Sequence, residues 1–560
     1  MSSRAGESSR AGAALSFDIN TSVRHRISPF IYGVNFGEMD GTPRGTAPWY
    51  GAVLPRGITL SRFGGNRLSA FNWVTGFSNV GSDGGWTNDR YLASPGNGAW
   101  DYGTAPGAAV SGRMDAARRR GRALLLTVPM IGYVAADGTG TPLDTSMGAR
   151  PARLAEHFKL SVPRKGAAFT VPTGGEPVVY QDEFAAYVRD RIRRIPDTRR
   201  SPVFFGLDNE PDLWRSTHPE IVSDVWSYAD FSDRSIAYAA AIKDVMPDAK
   251  VFGPSVATYT GMVAGDRYRN GWTDDPVYGR QNFLSVYLDR LSAADHARGR
   301  RLLDVLDVHF YPDVGTVRGK IGNDHAAQDS SMIAARLQAP RTLWDSTYVE
   351  DSWVSGVAGG AIRLLPWLRD LVRAHYPGTQ LAITEYYYGR GGDISGGLAQ
   401  ADVLGIFGRE GVFAAALWPN ASVGAPPYGG DGAKAYAYVL AAFRLFLDYD
   451  GHGTGFGPVG VRATASDPGR ASVYASISAS GRLTVIAINK DQGHEQSVAL
   501  NVKRPSALSH VEAAYQLTGA SPNIRRLDAV SVSFLGYSGG VNRYRVVLPA
   551  LSATVLAFVQ

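Results

Sequence analysis

"VFFGLDNEPDLW", residues 203–214, is an apolar run that ends abruptly on three polar side chains and a proline. A short run of this kind, rich in β-forming residues, is typical of a buried strand in a parallel sheet. In a (β/α)8 barrel the loops that follow the strands converge on one face, where the functional side chains gather. The stretch therefore predicts that Asp208, Asn209 and Glu210 lie on the rim of such a barrel.

Seven further runs of the same kind occur in the first three quarters of the chain. They are residues 30–36, 58–65, 123–132, 250–256, 302–311, 381–388 and 412–419. Amphipathic stretches with apolar spacings of three and four lie between them, for example at 182–195, 233–246, 281–291 and 435–447. Strand followed by helix, repeated eight times, predicts an α/β fold of the (β/α)8 TIM-barrel class over residues 29–449.

The pattern changes after about residue 450, where alternation with a period of two replaces the helical spacing. "ASVYASISASGRLTVIAINK" (471–490) reads as strand, Ser-Gly turn and strand, so residues 450–560 are predicted to form a β-sandwich domain. "ALSFDIN" (14–20) alternates in the same way, which makes the N-terminal segment 1–28 a candidate extra strand of that sheet. "GYSGG" (536–540) fits a serine-hydrolase motif, but its position between alternating strands predicts a β-turn.

Composition excludes several classes of function. The chain of 560 residues has no cysteine, which excludes disulfides, thiolate nucleophiles and Cys-zinc sites. Its net charge of +6 comes without long basic runs, so we expect no nucleic-acid partner. No stretch approaches the roughly 18 to 20 apolar residues of a membrane span, and "MSSRAGESSRAGAAL" lacks the apolar core of a signal peptide.

Two glutamates fall at the ends of predicted strands. Glu210 ends the fourth run and Glu385, in "LAITEYYYG", ends the seventh, so the two can face each other across the barrel mouth. Two facing carboxyl groups are what glycoside hydrolysis requires: one protonates the leaving oxygen, and the other attacks the sugar or activates water. The alternative for either residue alone is a strand-end salt bridge.

Polar neighbours of the two glutamates suggest supporting roles. Asn209 precedes Glu210 and can hydrogen-bond a substrate hydroxyl without competing for the proton, although Asn before Pro211 is also a common turn residue. His309 and Tyr311 end the sixth run, next to the strand that carries Glu385, and we expect them to orient that carboxylate. No HxxxH or HxH spacing supports a catalytic zinc.

Aromatic residues also crowd the predicted rim, where their flat faces suit sugar rings. We interpret them as substrate contacts, with Trp418 the best single platform, although any one of them could instead be core packing. They are Trp73, Trp86, Tyr133, Trp214, Tyr311, Tyr386, Tyr387 and Trp418.

Seven ordered segments resemble glycoside hydrolase family 44, a family of endoglucanases and xyloglucanases among the retaining barrels. The one that carries Glu210 is "GLDNEPDLWRSTHPEI" (206–221), and the one that carries Glu385 is "AITEYYYG" (382–389). The others are "SRFGGNRLSAFNW" (61–73), "TVPMIGYVA" (127–135), "DVHFYP" (307–312), "RTLWDSTYVEDSW" (341–353) and "QADVLGIFGREGVFAAALWP" (400–419).

The resemblance implies different catalytic roles for the two glutamates at the barrel mouth. Glu210 would be the general acid/base and Glu385 the nucleophile of a reaction that retains the anomeric configuration, with Arg62 and Asn66 near the cleft floor. No cofactor is implied for catalysis. A structural calcium ion occurs in such proteins, and here Glu38, Asp83 and Asp89 are candidate ligands.

The expected substrate is a plant-cell-wall β-1,4-glucan, with xyloglucan accepted and xylan as a side activity. We expect a secreted monomer whose leader is absent from this sequence. Two alternatives stay open: a non-catalytic polysaccharide-binding barrel, and an exo-acting or arabinose-releasing relative.

Overall fold

The structure, a computed structural model, describes residues 14–39, 49–94, 100–170, 172–196, 201–271, 273–325, 328–420, 423, 428–508, 510–527 and 532–558. The chain forms two compact units, one made of Ser28–Phe443 and the other of the described parts of Met1–Ile27 and Arg444–Gln560. In these ranges we find no helix with both the length and the apolar character needed to cross a membrane.

The first unit is built around a closed barrel of eight parallel strands. The strands are β1 (Gly33–Asn35), β2 (Leu60–Phe63), β3 (Ala123–Val128), β4 (Val203–Leu207), β5 (Val251–Val256), β6 (Val305–His309), β7 (Gln380–Tyr386) and β8 (Ala414–Leu417). Each pairs with its neighbours in chain order, and β8 closes the barrel against β1. Every strand overlaps one of the eight predicted runs, so the predicted TIM barrel is confirmed.

Helices connect the barrel strands. The longer ones are Ala108–Arg119, Gln181–Arg193, Tyr228–Val245, Phe283–Arg298, Leu364–His375, Ile394–Arg409 and Ala437–Leu447. Several begin at a side-chain cap: Ser227 accepts a hydrogen bond from the N–H of Asp230, and Asn282 from that of Ser285. Shorter α-helices are Asn66–Ser69, Arg150–His157, Trp214–Thr217, Tyr259–Ala264, Ser330–Gln338, Trp353–Ala358 and Gly432–Ala435.

The long connections add small elements of their own. Short strands pair as Ser78–Asn79 with Asn88–Asp89, as Gly315–Thr316 with Gly319–Lys320, and as a three-stranded sheet of Tyr133–Ala135, Phe158–Val162 and Val178–Tyr180. Short 3₁₀ helices are Pro29–Ile31, Gly37–Met39, Gly81–Gly84, Pro211–Leu213, Gly265–Asn270 and Ala339–Leu343. Insertions after barrel strands are where this fold builds the walls of a site.

Aromatic rings close the end of the barrel at which the strands begin. The ring of Phe30 lies 5.3 Å from that of Phe204, and Phe204 lies 5.5 Å from Phe252. Leu60, Val305 and other apolar side chains from the strands pack into the same cluster. This end of the barrel is therefore closed by apolar packing, and in this fold the functional side chains gather at the opposite end.

The second unit is a ten-stranded sheet. Its strands are Leu15–Arg26, Val459–Ala465, Ala471–Ile477, Leu483–Asn489, Gln496–Lys503, Val511–Thr518, Ser521–Arg526, Val532–Ser538, Val541–Leu548 and Ser552–Phe558. The rings of Tyr544 and Phe558 are 5.3 Å apart although their strands are not neighbours, so the sheet folds over a single core as a sandwich.

Two sequence features find their place in this unit. Strand Leu15–Arg26 pairs antiparallel with Val459–Ala465 and parallel with Gln496–Lys503. The "GYSGG" stretch ends strand Val532–Ser538 and turns through Gly539 and Gly540, which both have positive φ, into the next strand. It is a β-hairpin turn, as predicted, and no helix follows it.

Candidate active site

A turn after β4 presents Glu210 at the barrel mouth. Asp208 and Glu210 both adopt left-handed backbone conformations, with φ of 63° and 45°. Such conformations cost energy in residues other than glycine and cluster at functional sites. The N–H of Glu210 donates to the backbone oxygen of Ser255 at 3.0 Å, which ties the turn to β5. The Glu210 side chain stays partly exposed, at 14%.

Asp208, which is buried, stabilises this turn through hydrogen bonds to its carboxylate. Its carboxylate accepts hydrogen bonds from Ser69 Oγ at 2.5 Å, from its neighbour's N–H (Asn209) at 2.7 Å and from the N–H of Ile131 at 3.0 Å. Burial raises the pKa of Asp208 to about 6, although these donors oppose the rise. Because its carboxylate accepts from one side chain and two backbone N–H groups, Asp208 holds the position of its neighbours.

Glu385, near the end of β7, is held by a cation and a phenol. Arg62 Nη1 lies 2.6 Å from Glu385 Oε1, and the Tyr311 hydroxyl donates to Glu385 Oε2 at 2.9 Å. Burial and the nearby carboxylates raise the pKa of Tyr311 well above its usual value, so the phenol keeps its proton. Each oxygen of the Glu385 carboxylate therefore has its own donor, which fixes the orientation of the side chain.

His309, at the end of β6, lies between the two glutamates. Its Nδ1 is 2.9 Å from Glu210 Oε1 and 3.6 Å from Glu385 Oε2, so it is nearer to Glu210 than the sequence predicted. Burial lowers the pKa of His309 to about 4, which keeps the ring neutral at ordinary pH. One atom from each of the three side chains lies within 4.8 Å of the other two. Carboxyl groups of inverting glycosidases stand about 6.5 to 9.5 Å apart, so this spacing fits a retaining pair.

A hydrogen-bonded frame joins Arg62 to Asn209. Arg62 Nη2 donates to Asn209 Oδ1 at 2.8 Å, and the N–H of Gly65 donates to the same oxygen at 3.0 Å. Arg62 Nη1 also donates to Asn35 Oδ1 at 3.0 Å. Sequence reasoning missed Asn35, which ends β1; its signal was a polar residue within the apolar run 30–36.

Glycines in "FGGN" (63–66) make room for this frame. A Cβ on Gly64 would collide with the Arg62 guanidinium. Gly65 has a φ of +95°, and a Cβ there would lie 2.6 Å from the ring of Trp418. Both positions therefore require glycine if Arg62 and Trp418 are to keep their places.

The predicted aromatic contacts divide into three groups. Trp86, Tyr133 and Trp418 are partly exposed, as a sugar platform must be. Tyr311 reaches the site through its hydroxyl, as described above. The remaining four predictions, for Trp73, Trp214, Tyr386 and Tyr387, are wrong, because all four side chains are buried at 1–2% exposure.

Packing explains the buried aromatic residues. The Trp73 ring stacks on Phe184 at 5.6 Å. Trp214 Nε1 donates to the backbone oxygen of Asn209 at 3.1 Å, so Trp214 holds the backbone of Asn209 in place. The Tyr386 hydroxyl accepts from Gln400 at 2.9 Å.

Asn66 lies beside Asn209, near the position that the resemblance implies. Asn209 Nδ2 donates to Asn66 Oδ1 at 3.5 Å, and Asn66 Nδ2 donates to Asp83 at 3.0 Å. Glu38 forms a fully buried ion pair with Arg113 at 2.6 Å.

The candidate calcium ligands do not form one set. Asp89 pairs with Arg67 at 2.6 Å and Glu38 pairs with Arg113, while Asp83 contacts Asn66. Across the described ranges, three side chains with metal-ligating atoms come together only at Glu210, His309 and Glu385. Glu38, Asp83 and Asp89 therefore do not fit a shared calcium ion.

Comparison with known proteins identifies the family. The model of glycoside hydrolase family 44 matches residues 77–314. The crystal structure of the family 44 endoglucanase Cel44A from Clostridium thermocellum superposes with a TM-score of 0.81 at 32% identity, over 98% of this chain and 100% of that one. This chain belongs to glycoside hydrolase family 44.

Two further family 44 comparisons extend the match. A Paenibacillus polymyxa xyloglucanase, solved with xyloglucan, has a TM-score of 0.80 at 30% identity, over 98% of this chain and 100% of that one. Endoglucanase A of Paenibacillus lautus is 36% identical over 86% of this chain, but the chain spans only 64% of that protein. The family 44 model match includes Glu210 and His309, and the structural matches extend over nearly the whole chain.

Proposed function

We propose that this chain hydrolyses β-1,4-linked glucans with retention of configuration, using Glu210 as general acid/base and Glu385 as nucleophile. The observation that carries the proposal is the approach of the two carboxylates to within 4.8 Å at the carboxyl ends of β4 and β7, with His309 between them. An inverting enzyme needs a wider gap to hold its attacking water. The partial exposure of Glu210 lets it reach a leaving group.

In the first step Glu385 attacks the anomeric carbon while Glu210 transfers its proton to the glycosidic oxygen. The bond to the leaving sugar breaks, and a glycosyl ester forms on Glu385. In the second step Glu210, now ionised, takes a proton from water, whose oxygen displaces the ester and restores free Glu385. Arg62 and Tyr311 stabilise the carboxylate that leaves in this step.

Names of relatives support the substrate class. One is called an endoglucanase and another a xyloglucanase, and the latter was solved with xyloglucan. Cellulose-type glucans and xyloglucan share a β-1,4-glucan backbone, and the partly exposed aromatic rings suit such a chain. We propose internal cleavage of these polymers, with xylan as a weaker substrate. Because polymers of this size do not enter cells, the enzyme would act outside the cell. That the protein is a monomer stays a prediction.

The test is hydrolysis of carboxymethylcellulose, xyloglucan and xylan by the parent chain, Glu385→Gln and Glu210→Gln. We expect both variants to lose at least about 1,000-fold in kcat, because each lacks a group that acts in the transition state. Glu512→Gln is the matched control, since Glu512 is exposed and pairs with Arg482 in the sandwich. Near-parental activity of Glu385→Gln would refute the assignment.

Product analysis separates the remaining alternatives. Retention predicts that the first product appears as the β-anomer by proton NMR, and an α-anomer would indicate inversion. Oligosaccharides of mixed length indicate endo cleavage, whereas monosaccharides or arabinose alone indicate the exo-acting or arabinose-releasing relative. Binding without any release of reducing sugar would indicate a non-catalytic barrel.

A further inference from the structure

Two buried ionisable side chains that the proposed mechanism does not use lie 8 and 10 residues after Glu210 in the chain. His218 and Glu220 are both fully buried. His218 Nδ1 lies 2.7 Å from Glu220 Oε1, and His218 Nε2 lies 2.9 Å from the backbone oxygen of Asn66. The pair therefore connects the loop after β4 to the short helix after β2.

The contacts of this ring bear on its protonation state. A carbonyl oxygen can only accept a hydrogen bond, and so can an ionised carboxylate. A neutral imidazole has one N–H and can serve only one of these partners, whereas an imidazolium serves both. Glu220 supplies the counter-charge that a buried cation needs. Both contacts are complete when His218 carries both N–H groups and faces an ionised Glu220, whereas a neutral ring completes them only if Glu220 itself donates a proton to Nδ1.

Surrounding charges favour the same state. Burial lowers the pKa of His218, but the charge and hydrogen bond of Glu220, the Asn66 carbonyl and the charge of Asp208 outweigh it, so the pKa lies above its usual value. From the helix Arg150–His157, Arg153 donates to the backbone oxygen of Glu220 at 2.9 Å. On the packed turn Gly81–Gly84, Asp83 contacts the side chain of Asn66.

The His218 ring does not touch Asn209 directly but acts on it through one intervening residue, Asn66. It holds the backbone of Asn66, whose side chain meets Asn209 at 3.5 Å, and Asn209 is held in turn by Arg62. The turn at Gly81 fits closely against it, because a Cβ there would lie 3.0 Å from His218 Cε1. A shift of the ring would therefore displace Asn66 and disturb Asn209.

We propose that His218 is a positioning residue: as a buried imidazolium paired with Glu220, it fixes Asn66 and thereby the amide of Asn209 beside the acid/base. The inference rests on the proposed function and on the expectation from the sequence that Asn209 hydrogen-bonds a sugar hydroxyl. When His218 loses one proton, the remaining N–H stays on Nδ1 beside the carboxylate of Glu220, because a hydrogen bond to a charged acceptor is the stronger one, so Nε2 no longer donates to Asn66. Activity then falls at alkaline pH through a group other than Glu210.

Glu220→Gln tests the role in catalysis, because it keeps the side-chain shape and a hydrogen-bond acceptor but removes the counter-charge. We expect kcat to fall about tenfold at the parental pH optimum, with KM changed less than about twofold, since misplacement near the reacting centre affects the transition state most. The alkaline limb should move to lower pH by about one unit. Asp289→Asn is the control, because Asp289 pairs with His375 at an exposed site at 2.9 Å.

A second measurement does not depend on activity. In the parent chain with ¹⁵N-labelled histidine, NMR should show an N–H on both ring nitrogens of His218 across neutral pH, with the signal assigned by its loss in His218→Gln or its shift in Glu220→Gln. A neutral His218 in an active enzyme, or a Glu220→Gln variant with the parental pH profile, overturns this inference alone. A parent chain that cleaves no β-glucan overturns the function on which it rests.

Discussion

Arg62 Nη1 lies 2.6 Å from Glu385 Oε1, while Nη2 of the same guanidinium lies 2.8 Å from Asn209 Oδ1. Both charged side chains are nearly buried, so each is the compensating charge of the other. Because the guanidinium is planar and rigid, it fixes the proposed nucleophile and the amide beside the acid/base in one frame. One side chain from β2 thereby connects the residues that follow β4 to the end of β7.

Arg62→Lys should lower kcat on xyloglucan about 100-fold, because lysine keeps the charge but cannot hold Glu385 and Asn209 together. KM should change much less, since the loss concerns alignment in the transition state. Steady-state kinetics provide the measurement. Arg318→Lys, at an exposed pair with Asp329, is the matched control and should keep parental values. A kcat within about threefold of the parent would show that Arg62 is not needed to align Glu385 with Asn209.

Tyr311→Phe should slow turnover about 10- to 100-fold while leaving the thermal midpoint within about 2 °C, because only a hydroxyl is removed. The lost contact is the 2.9 Å hydrogen bond to Glu385 Oε2. The raised pKa of Tyr311 means that this donor persists in alkali, so the variant should be slower by a similar factor at all assay pH values. A rate deficit confined to one pH range would contradict this account.

The sequence predicted the barrel and the positions of Glu210 and Glu385, because strand runs and strand ends are visible in a linear pattern. It failed for Trp73, Trp214 and Tyr386, which follow or end strands as expected but are covered by other elements. Which way a side chain points, and what packs over it, depends on tertiary contacts that spacing does not reveal. Asn35 was missed for the same reason, because its partner Arg62 comes from another strand.

His309 gives a prediction for stability against pH. Its pKa falls from an ordinary 6.5 to about 4 on burial, so between these values the unfolded chain binds a proton that the native chain does not. The native state therefore loses stability as pH falls from about 6.5 to 4, by on the order of 3 kcal/mol from this residue. Above pH 6.5 the contribution is constant.

The measurement is the thermal midpoint of the parent and of His309→Asn at several pH values between 7 and about 4. The parent should lose more on acidification than the variant, because asparagine has no proton to gain, and titratable groups remote from His309 cancel in the difference. His296→Asn, on an exposed helix position, is the control. Parallel midpoint curves for parent and His309→Asn would show that His309 is not buried as a neutral ring.

Trp418 and Trp73 should respond differently to the same substitution. Trp418 is partly exposed at the end of β8, whereas Trp73 is 1% exposed and stacked on Phe184. Trp418→Ala should raise KM for xyloglucan oligosaccharides about tenfold, because a stacked aromatic contact contributes on the order of 1 kcal/mol or more, with a small effect on the thermal midpoint. Trp73→Ala should instead lower the midpoint strongly, since emptying a buried tryptophan site costs about 3 to 5 kcal/mol, and the folded fraction should keep its KM. An unchanged KM in Trp418→Ala would show that this ring is not a sugar platform, and a raised KM in folded Trp73→Ala would show that Trp73 contributes to substrate binding.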